Sequence, residues 1–325
     1  MSRLLTASFL ALSLVAAPLA AMQSQGGEEN PAVRKGKISA AIFQEERTPE
    51  KLSAQILLDR AGFSPGVIDG YGGGNTEAAV RAWQEANGET ADGKITAELL
   101  RALRDKDSKS YLTKIELSQE DVSRNYVQIP EGMAAQAEMD SLGYSSVEEM
   151  LAERYHMDVD FLKALNPDAD FSRAGESVMV VRAGPAKLDK TVARIEISRT
   201  NNRLRAYNEN DELLAVYPAT VGSSGMPSPS GNMSVRTVAP EATYHFDPST
   251  NDWGGDEALT LAAGPNNPVG GVWIDLTKDT YGIHGSPDPA LIGKTASHGC
   301  VRLTNWDARE LAAAVRQGTK VAFVN

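Results

Sequence analysis

The segment SHGCVRL, residues 297–303, carries a histidine, a cysteine and an arginine at every second position. In extended chain, side chains alternate between faces, so His298, Cys300 and Arg302 share a polar face while Val301 and Leu303 turn into a core. An imidazole, a thiol and a guanidinium in line are suited to acyl transfer through a thioester. Gly299 leaves the approach to the sulfur open, and the backbone N–H groups beside it are candidate oxyanion donors. A thiol of ordinary pKa, about 8.5, is only slightly ionised at neutral pH and needs a base or a positive neighbour. Two histidines qualify: His298, and His284 at the end of the strand-like YGIHG. Neighbours on one strand face are constrained in direction, which favours a histidine on an adjacent element, but spacing alone leaves both open.

The thiol must stay free. Cys300 is the one cysteine in 325 residues, so no internal disulfide can form. The N-terminus, MSRLLTASFLALSLVAAPLAA, has a positive charge at Arg3, an apolar run from Leu10 to Leu19 and small residues at Ala20 and Ala21. Residues 1–21 therefore read as a secretory signal peptide, the run falling short of the roughly 20 apolar residues of a membrane span. The formal net charge of -11 disfavours nucleic acid as a partner. His284, His298 and Cys300 could also form a zinc set. Against that, His298 and Cys300 are too tightly spaced, and no carboxylate recurs at a metal-site interval; no metal ligand or cofactor is assigned.

Several elements must position this chemistry. Residues 22–47 are polar and mixed in charge, a flexible lead-in. Residues 48–105 read as three helices: the first capped by Thr48 with Pro49 in its first position, the second restarting at Asn75 or Thr76, the third following ADGK. Their apolar positions include Leu52, Ile56, Val80, Trp83, Leu99 and Leu103. Residues 124–183 read as a strand at Tyr126–Ile129, two short helices and a strand at Val178–Val181. Ser145 with Glu148, or Ser146 with Glu149, is the candidate capping box. From 190 to 325 the pattern is one of short strands at VARIEIS, RLRAYN, ELLAVYPATVG, 234–238, 272–276, 281–284 and 321–324, with a helix over 307–316 for which Thr304 or Asn305 is available as cap. Residues 245–271 are too irregular for an ordinary hairpin and read as a flap, with Trp253 either on a substrate or beneath the flap. His245 and His156 read as structural or surface residues.

Two stretches carry resemblances. LLDRAGFSPGVIDGYGGGNTEAAVRAWQEANGETADGKITAELLRAL resembles the helical peptidoglycan-binding domain of wall-active enzymes, with Trp83 where that family usually has phenylalanine. SVEEMLAERYHMDVDFLKALNPD with the later SVMVV resembles the LysM domain, although the segment from Ile129 to Ser145 is longer than that family expects. A spacer that orients the catalytic domain is the alternative role.

HGS at 284–286 followed by SHGCVRL resembles the signature of the L,D-transpeptidase catalytic domain. NNPVGGVWIDL before it and NWDARELAAAVRQGTKVAFV after it agree. The resemblance implies a multidomain, mixed chain: a three-helix N-terminal domain, a LysM-like α+β middle domain and a mainly β C-terminal sandwich with a packed helix. It makes Cys300 the acyl carrier, His284 the general base, Gly285 the carbonyl that orients the base, and His298 a contributor to the electrostatics of the site. Arg302 becomes the binder of the stem-peptide carboxylate, with Ser297 and Trp253 also on the substrate side. The implied reaction releases D-alanine from a tetrapeptide stem and joins the acyl group to a side-chain amine of a second stem, a 3-3 crosslink, without ATP, metal or other cofactor. The implied partners are the stem peptides and glycan of peptidoglycan in a periplasm-like compartment. Water or the lysine of a wall-linked protein as acceptor would make the same nucleophile a carboxypeptidase, a hydrolase or an attachment enzyme. A non-catalytic wall-binding protein is the reading from another class, and the complete set of His284, His298, Cys300 and Arg302 argues against it.

Overall fold

The computed structural model describes residues 42–43, 46–222, 228–249, 255–297 and 299–324. The leader, Trp253 and His298 lie outside them. The first unit is helical: α1 (Pro49–Arg60), α2 (Gly74–Ala86) and α3 (Ala97–Lys106). Thr48 caps α1 by accepting from the Lys51 N–H, Pro49 sits where its missing N–H costs nothing, and Thr96 caps α3 in the same way. Leu52, Ile56, Val80, Trp83, Leu99 and Leu103 are buried as their spacing predicts. Each contributes about 1.5–3 kcal/mol through burial of an apolar side chain.

The middle unit departs from expectation at its start. Its first strand is β1 (Leu112–Glu116), paired antiparallel with β2 (Ser177–Val181), whereas residues 126–129 are irregular chain. The charged side chains of Lys114 and Glu116 hid the strand. Tyr126 is held instead by its hydroxyl, which donates to the Asp121 carbonyl, and the Val127 N–H donates to the Tyr144 carbonyl. Between the strands run α4 (Gln119–Ser123), α5 (Met133–Ala137), α6 (Val147–Arg154) and α7 (Val159–Leu165). The cap of α6 is divided between two serines: Ser146 accepts from the Glu149 N–H, while the Glu149 carboxylate accepts from the Ser145 N–H and hydroxyl. Buried residues of the helical and middle units form one continuous apolar cluster, from Leu52 to Val181.

The C-terminal unit has its own core around Ile195, Leu204, Ile274, Val301 and Leu311. Its strands are β3 (Arg194–Ser198), β4 (Arg203–Tyr207), β5 (Leu213–Pro218), β6 (Gly231–Ala239), β7 (Tyr244–Phe246), β8 (Leu259–Leu261), β9 (Trp273–Leu276), β10 (Gly282–His284), β11 (Val301–Arg302) and β12 (Lys320–Val324). Eight of them form a single mixed sheet in the order β11-β10-β9-β6-β12-β3-β4-β5. The expected sandwich is thus one curled sheet. It shifts register within β6, between Val235 and Thr237, and Thr220, just past β5, pairs with Arg302 of β11 at the opposite edge. Bulges bend strands, and that bend brings the two edges together. Helix α8 (Asn305–Ala314), capped by Thr304, packs on this core. The expected flap contains a short antiparallel ladder, β7 with β8, despite its irregular composition.

Candidate active site

Strands β10 and β11 run parallel, with Ile283 opposite Val301 and His284 opposite Arg302. Val301 and Leu303 are buried in the core, as the alternation predicts. Continuing the register by one residue sets Cys300 opposite Gly282, on the face that carries His284 and Arg302. Gly282 has no side chain to compete with the thiol, and the indole of Trp273 fills the space: a Cβ at 282 would lie 2.4 Å from its ring. Trp273 is paired with His284 across β9 and β10, and the two rings stack with centroids 5.4 Å apart.

His284 is buried, and its Nδ1 lies 2.7 Å from the Gly285 carbonyl. A carbonyl only accepts, so Nδ1 bears the proton and Nε2 is left with its lone pair for a proton acceptor's role. Burial, reinforced by the Arg302 charge, lowers the His284 pKa to about 4, against the opposing pull of the Gly285 carbonyl. The ring is therefore neutral near pH 7. Burial also raises the Cys300 thiol, opposed by a backbone hydrogen bond from Gly282 and by Arg302. At rest the thiol donates to the Thr280 carbonyl at 3.5 Å. Thr280 holds a left-handed backbone at φ +70, uncommon outside glycine.

The loop before Cys300 is tied from within. Ser297 is buried, and its hydroxyl donates to the Cys300 carbonyl at 2.5 Å while accepting from the Gly299 N–H at 3.2 Å. Ser297 thus ties the backbone at Cys300 and engages one of the N–H groups considered as oxyanion donors. Gly299 sits at φ +112, where a side chain is strained, and its carbonyl accepts from the Ser228 hydroxyl. Among the described residues, Arg302 has a buried Nε without a hydrogen-bond partner, a donor available to an incoming acceptor. Tyr244 on β7 is close enough to feel both Cys300, which raises its phenol, and Arg302, which lowers it, burial being the larger cause of its upward shift.

The structure brings Cys300, His284, Gly285, Gly299, Ser297 and Arg302 together. Trp273, Thr280, Tyr244 and Asn305 are additional. Trp273 could be read only as a strand residue, and Asn305 only as a helix cap, because both act through neighbours remote in sequence. His245 is exposed between the Thr243 and Thr260 hydroxyls. His156 is half-buried against Asp59 and stacked on Trp306, 5.2 Å between centroids, joining units rather than serving the thiol.

Residues 192–322 match the family described as "L,D-transpeptidase catalytic domain", and residues 48–103 match "Putative peptidoglycan binding domain". The "Putative L,D-transpeptidase YkuD" of Bacillus licheniformis is 29% identical over 175 residues, 54% of this chain and 92% of that protein. The "Putative L,D-transpeptidase YqjB" of Bacillus subtilis is 32% identical over 134 residues, 40% of this chain and 69% of that protein. The "Probable L,D-transpeptidase YbiS" of Escherichia coli K12 is 28% identical over 184 residues, 54% of this chain and 60% of that protein. With a peptidoglycan-binding domain at its N-terminal side and the catalytic domain at its C-terminal side, the chain belongs to the L,D-transpeptidase family.

Proposed function

We propose that the chain is an exported peptidoglycan L,D-transpeptidase that forms 3-3 crosslinks through a thioester on Cys300. Supporting this reading above all is a neutral His284 whose Nδ1 proton is given to the Gly285 carbonyl, on the strand beside the cysteine. The Cys300 proton passes to His284 Nε2 as sulfur attacks the carbonyl carbon of the donor stem. The C–S bond forms, the C–N bond to D-alanine breaks, and the same proton leaves on the D-alanine amine. An acceptor amine then forms the new C–N bond and expels sulfur. Its proton moves through His284 back to the thiolate.

Arg302, with its charge beside the thiol and an unpaired Nε, holds the stem carboxylate in this reading. Trp253 and His298, outside the described residues, keep their assigned places on the substrate side and in the field of the site. Residues 1–21 direct export to a wall-facing, periplasm-like compartment. Residues 48–105 hold the enzyme on the wall, and the middle unit orients the catalytic unit.

The test is to mix purified protein with disaccharide-tetrapeptide and follow protein and products by mass spectrometry. Wild type should show a Cys300 acyl adduct and then an amine-joined dimer, while Cys300→Ala shows neither. Crosslinked product from Cys300→Ala would overturn the mechanism. Tripeptide alone, with acceptor abundant, would replace crosslinking by hydrolysis.

A further inference from the structure

One of the points at which the middle unit meets the catalytic unit is a buried carboxylate. Glu153 on α6 is 6% exposed, and its Oε1 accepts from Asn305 Nδ2 at the start of α8. Its Oε2 accepts from Arg309 Nη1 at 3.1 Å and from the Tyr144 hydroxyl at 3.2 Å. Asn305 Nδ2 also donates to the Pro265 carbonyl at 3.1 Å. The Pro265 carbonyl can only accept and the Ser286 N–H can only donate, so the amide has one permitted orientation. In that orientation Oδ1 accepts the Ser286 N–H at 2.9 Å. Ser286 follows Gly285, whose carbonyl takes the His284 Nδ1 proton.

Packing makes this connection stiff. A Cβ on Gly285 would lie 2.2 Å from Asn305 Oδ1, and one on Gly270 would lie 1.9 Å from it. The amide therefore lies directly against the backbone of residues 285 and 270, and cannot turn without moving the Gly285 peptide.

We propose that Glu153 is a positioning residue for His284, supplied by the middle unit: it sets the Asn305 amide, and through the 285–286 backbone sets the carbonyl that orients the base. The catalytic unit alone thus lacks part of its own support. This inference rests on the proposed role of His284 as the base, so its test has a readout independent of turnover.

Glu153→Gln keeps size and shape but must leave one donor facing another. The charge-assisted bond to Arg309 is the stronger, so it takes the remaining oxygen and turns the new NH2 toward Asn305 Nδ2. With histidine labelled in 15N, the full chain at pH 7 should show His284 as the Nδ1–H tautomer in wild type and as a tautomer mixture in Glu153→Gln. Alkylation of Cys300 by iodoacetamide should slow by about tenfold or more, as expected of a misplaced base. Asn266→Ala is the control: it removes bonds to Gly143 and Glu149 between the same two units but does not touch Asn305, and it should leave both signals unchanged.

A folded Glu153→Gln protein with wild-type spectrum and rate would overturn the proposal, as would equal losses in Asn266→Ala. Should Glu153→Gln not fold, Glu153→Leu, which removes the acceptor outright, carries the same expectations. His284→Ala separates the two ideas: unaltered alkylation in that variant would remove the base role, while the tautomer of His284 in Glu153→Gln still decides the positioning role.

Discussion

At the residue scale, burial acts on the two groups proposed to react in opposite directions, raising the Cys300 thiol and lowering His284 to about 4. Each shift disfavours the charged form, so the resting pair is thiol and neutral imidazole rather than thiolate and imidazolium. Cys300 alkylation should accordingly keep rising as pH increases from 6 to 9; a rate already level between pH 5 and 8 would mean that a preformed ion pair exists. Arg302 opposes the thiol's upward shift, so Arg302→Met should raise it further, each unit removing about tenfold of the thiolate at neutral pH. The same change should let His284 rise toward its ordinary value. Titration of the labelled ring against pH in Arg302→Met checks the second half, and an unmoved or lower midpoint would contradict it.

At the scale of elements, β10 and β11 are short strands whose placement depends on glycines. Gly282 is required by the Trp273 indole lying across it, and Gly299 by its backbone at φ +112. Gly282→Ala should push Trp273 off the His284 ring and lower the proposed crosslinking activity by about tenfold or more, a displacement near 1 Å being enough for that loss. Far-UV circular dichroism should stay as in wild type, since the sheet's hydrogen bonds remain. Full activity in Gly282→Ala would show that the Trp273 stack has no part in orienting the base. Gly299→Ala should cost about 1–2 kcal/mol in denaturant unfolding, the penalty for a side chain in left-handed backbone. These glycines were visible in YGIHG and SHGC, but only the neighbouring strand supplies the reason for the first.

Across the whole molecule, three units meet at a buried polar junction. Asp59 pairs with His156, the Ser64 hydroxyl donates to Asp307, and the Tyr217 hydroxyl donates to Glu310. Burial is the leading influence on Asp307, raised to about 8, and on Glu310, raised to about 7; the Asp59 charge also raises both, while His156 opposes. His156 is itself raised: burial lowers it, and Asp59 more than compensates. A carboxyl raised in the folded state binds its proton more tightly there than in the unfolded chain. Its stabilisation is complete below the unfolded pKa near 4 and is lost as pH climbs through the folded value. His156 has the same sign, stabilising below its ordinary pKa and fading as pH passes its raised one. Thermal stability should therefore fall as pH rises from about 4 to about 8, and Asp307→Asn should flatten that fall; an equally steep decline in the variant would place its cause elsewhere. The continuous apolar cluster has a related consequence. Residues 48–106 alone should melt well below the full chain, because Leu52 and its neighbours share a core with Val178 and Val180 of the middle unit.

The alternation was legible from residue type and spacing: it put Cys300 and Arg302 on one face and Val301 and Leu303 in the core, and caps marked α1 and α8. Strand and helix periods are local properties, written into a few consecutive residues. What tertiary structure decided was long-range. The place of His284 on the strand beside Cys300 rests on the β10–β11 register, set by pairing across a loop. The closure of one sheet on itself depends on a bulge and on Thr220 meeting Arg302, contacts that no local pattern encodes. Strand β1 escaped notice because its charged side chains outweighed its alternation, and only its partner β2, some sixty positions away, completes it. Asn305 reads in sequence as a cap; in the fold it is the buried amide between Glu153 and the backbone beside the base, because three segments far apart in the chain each leave one polar group that needs a partner.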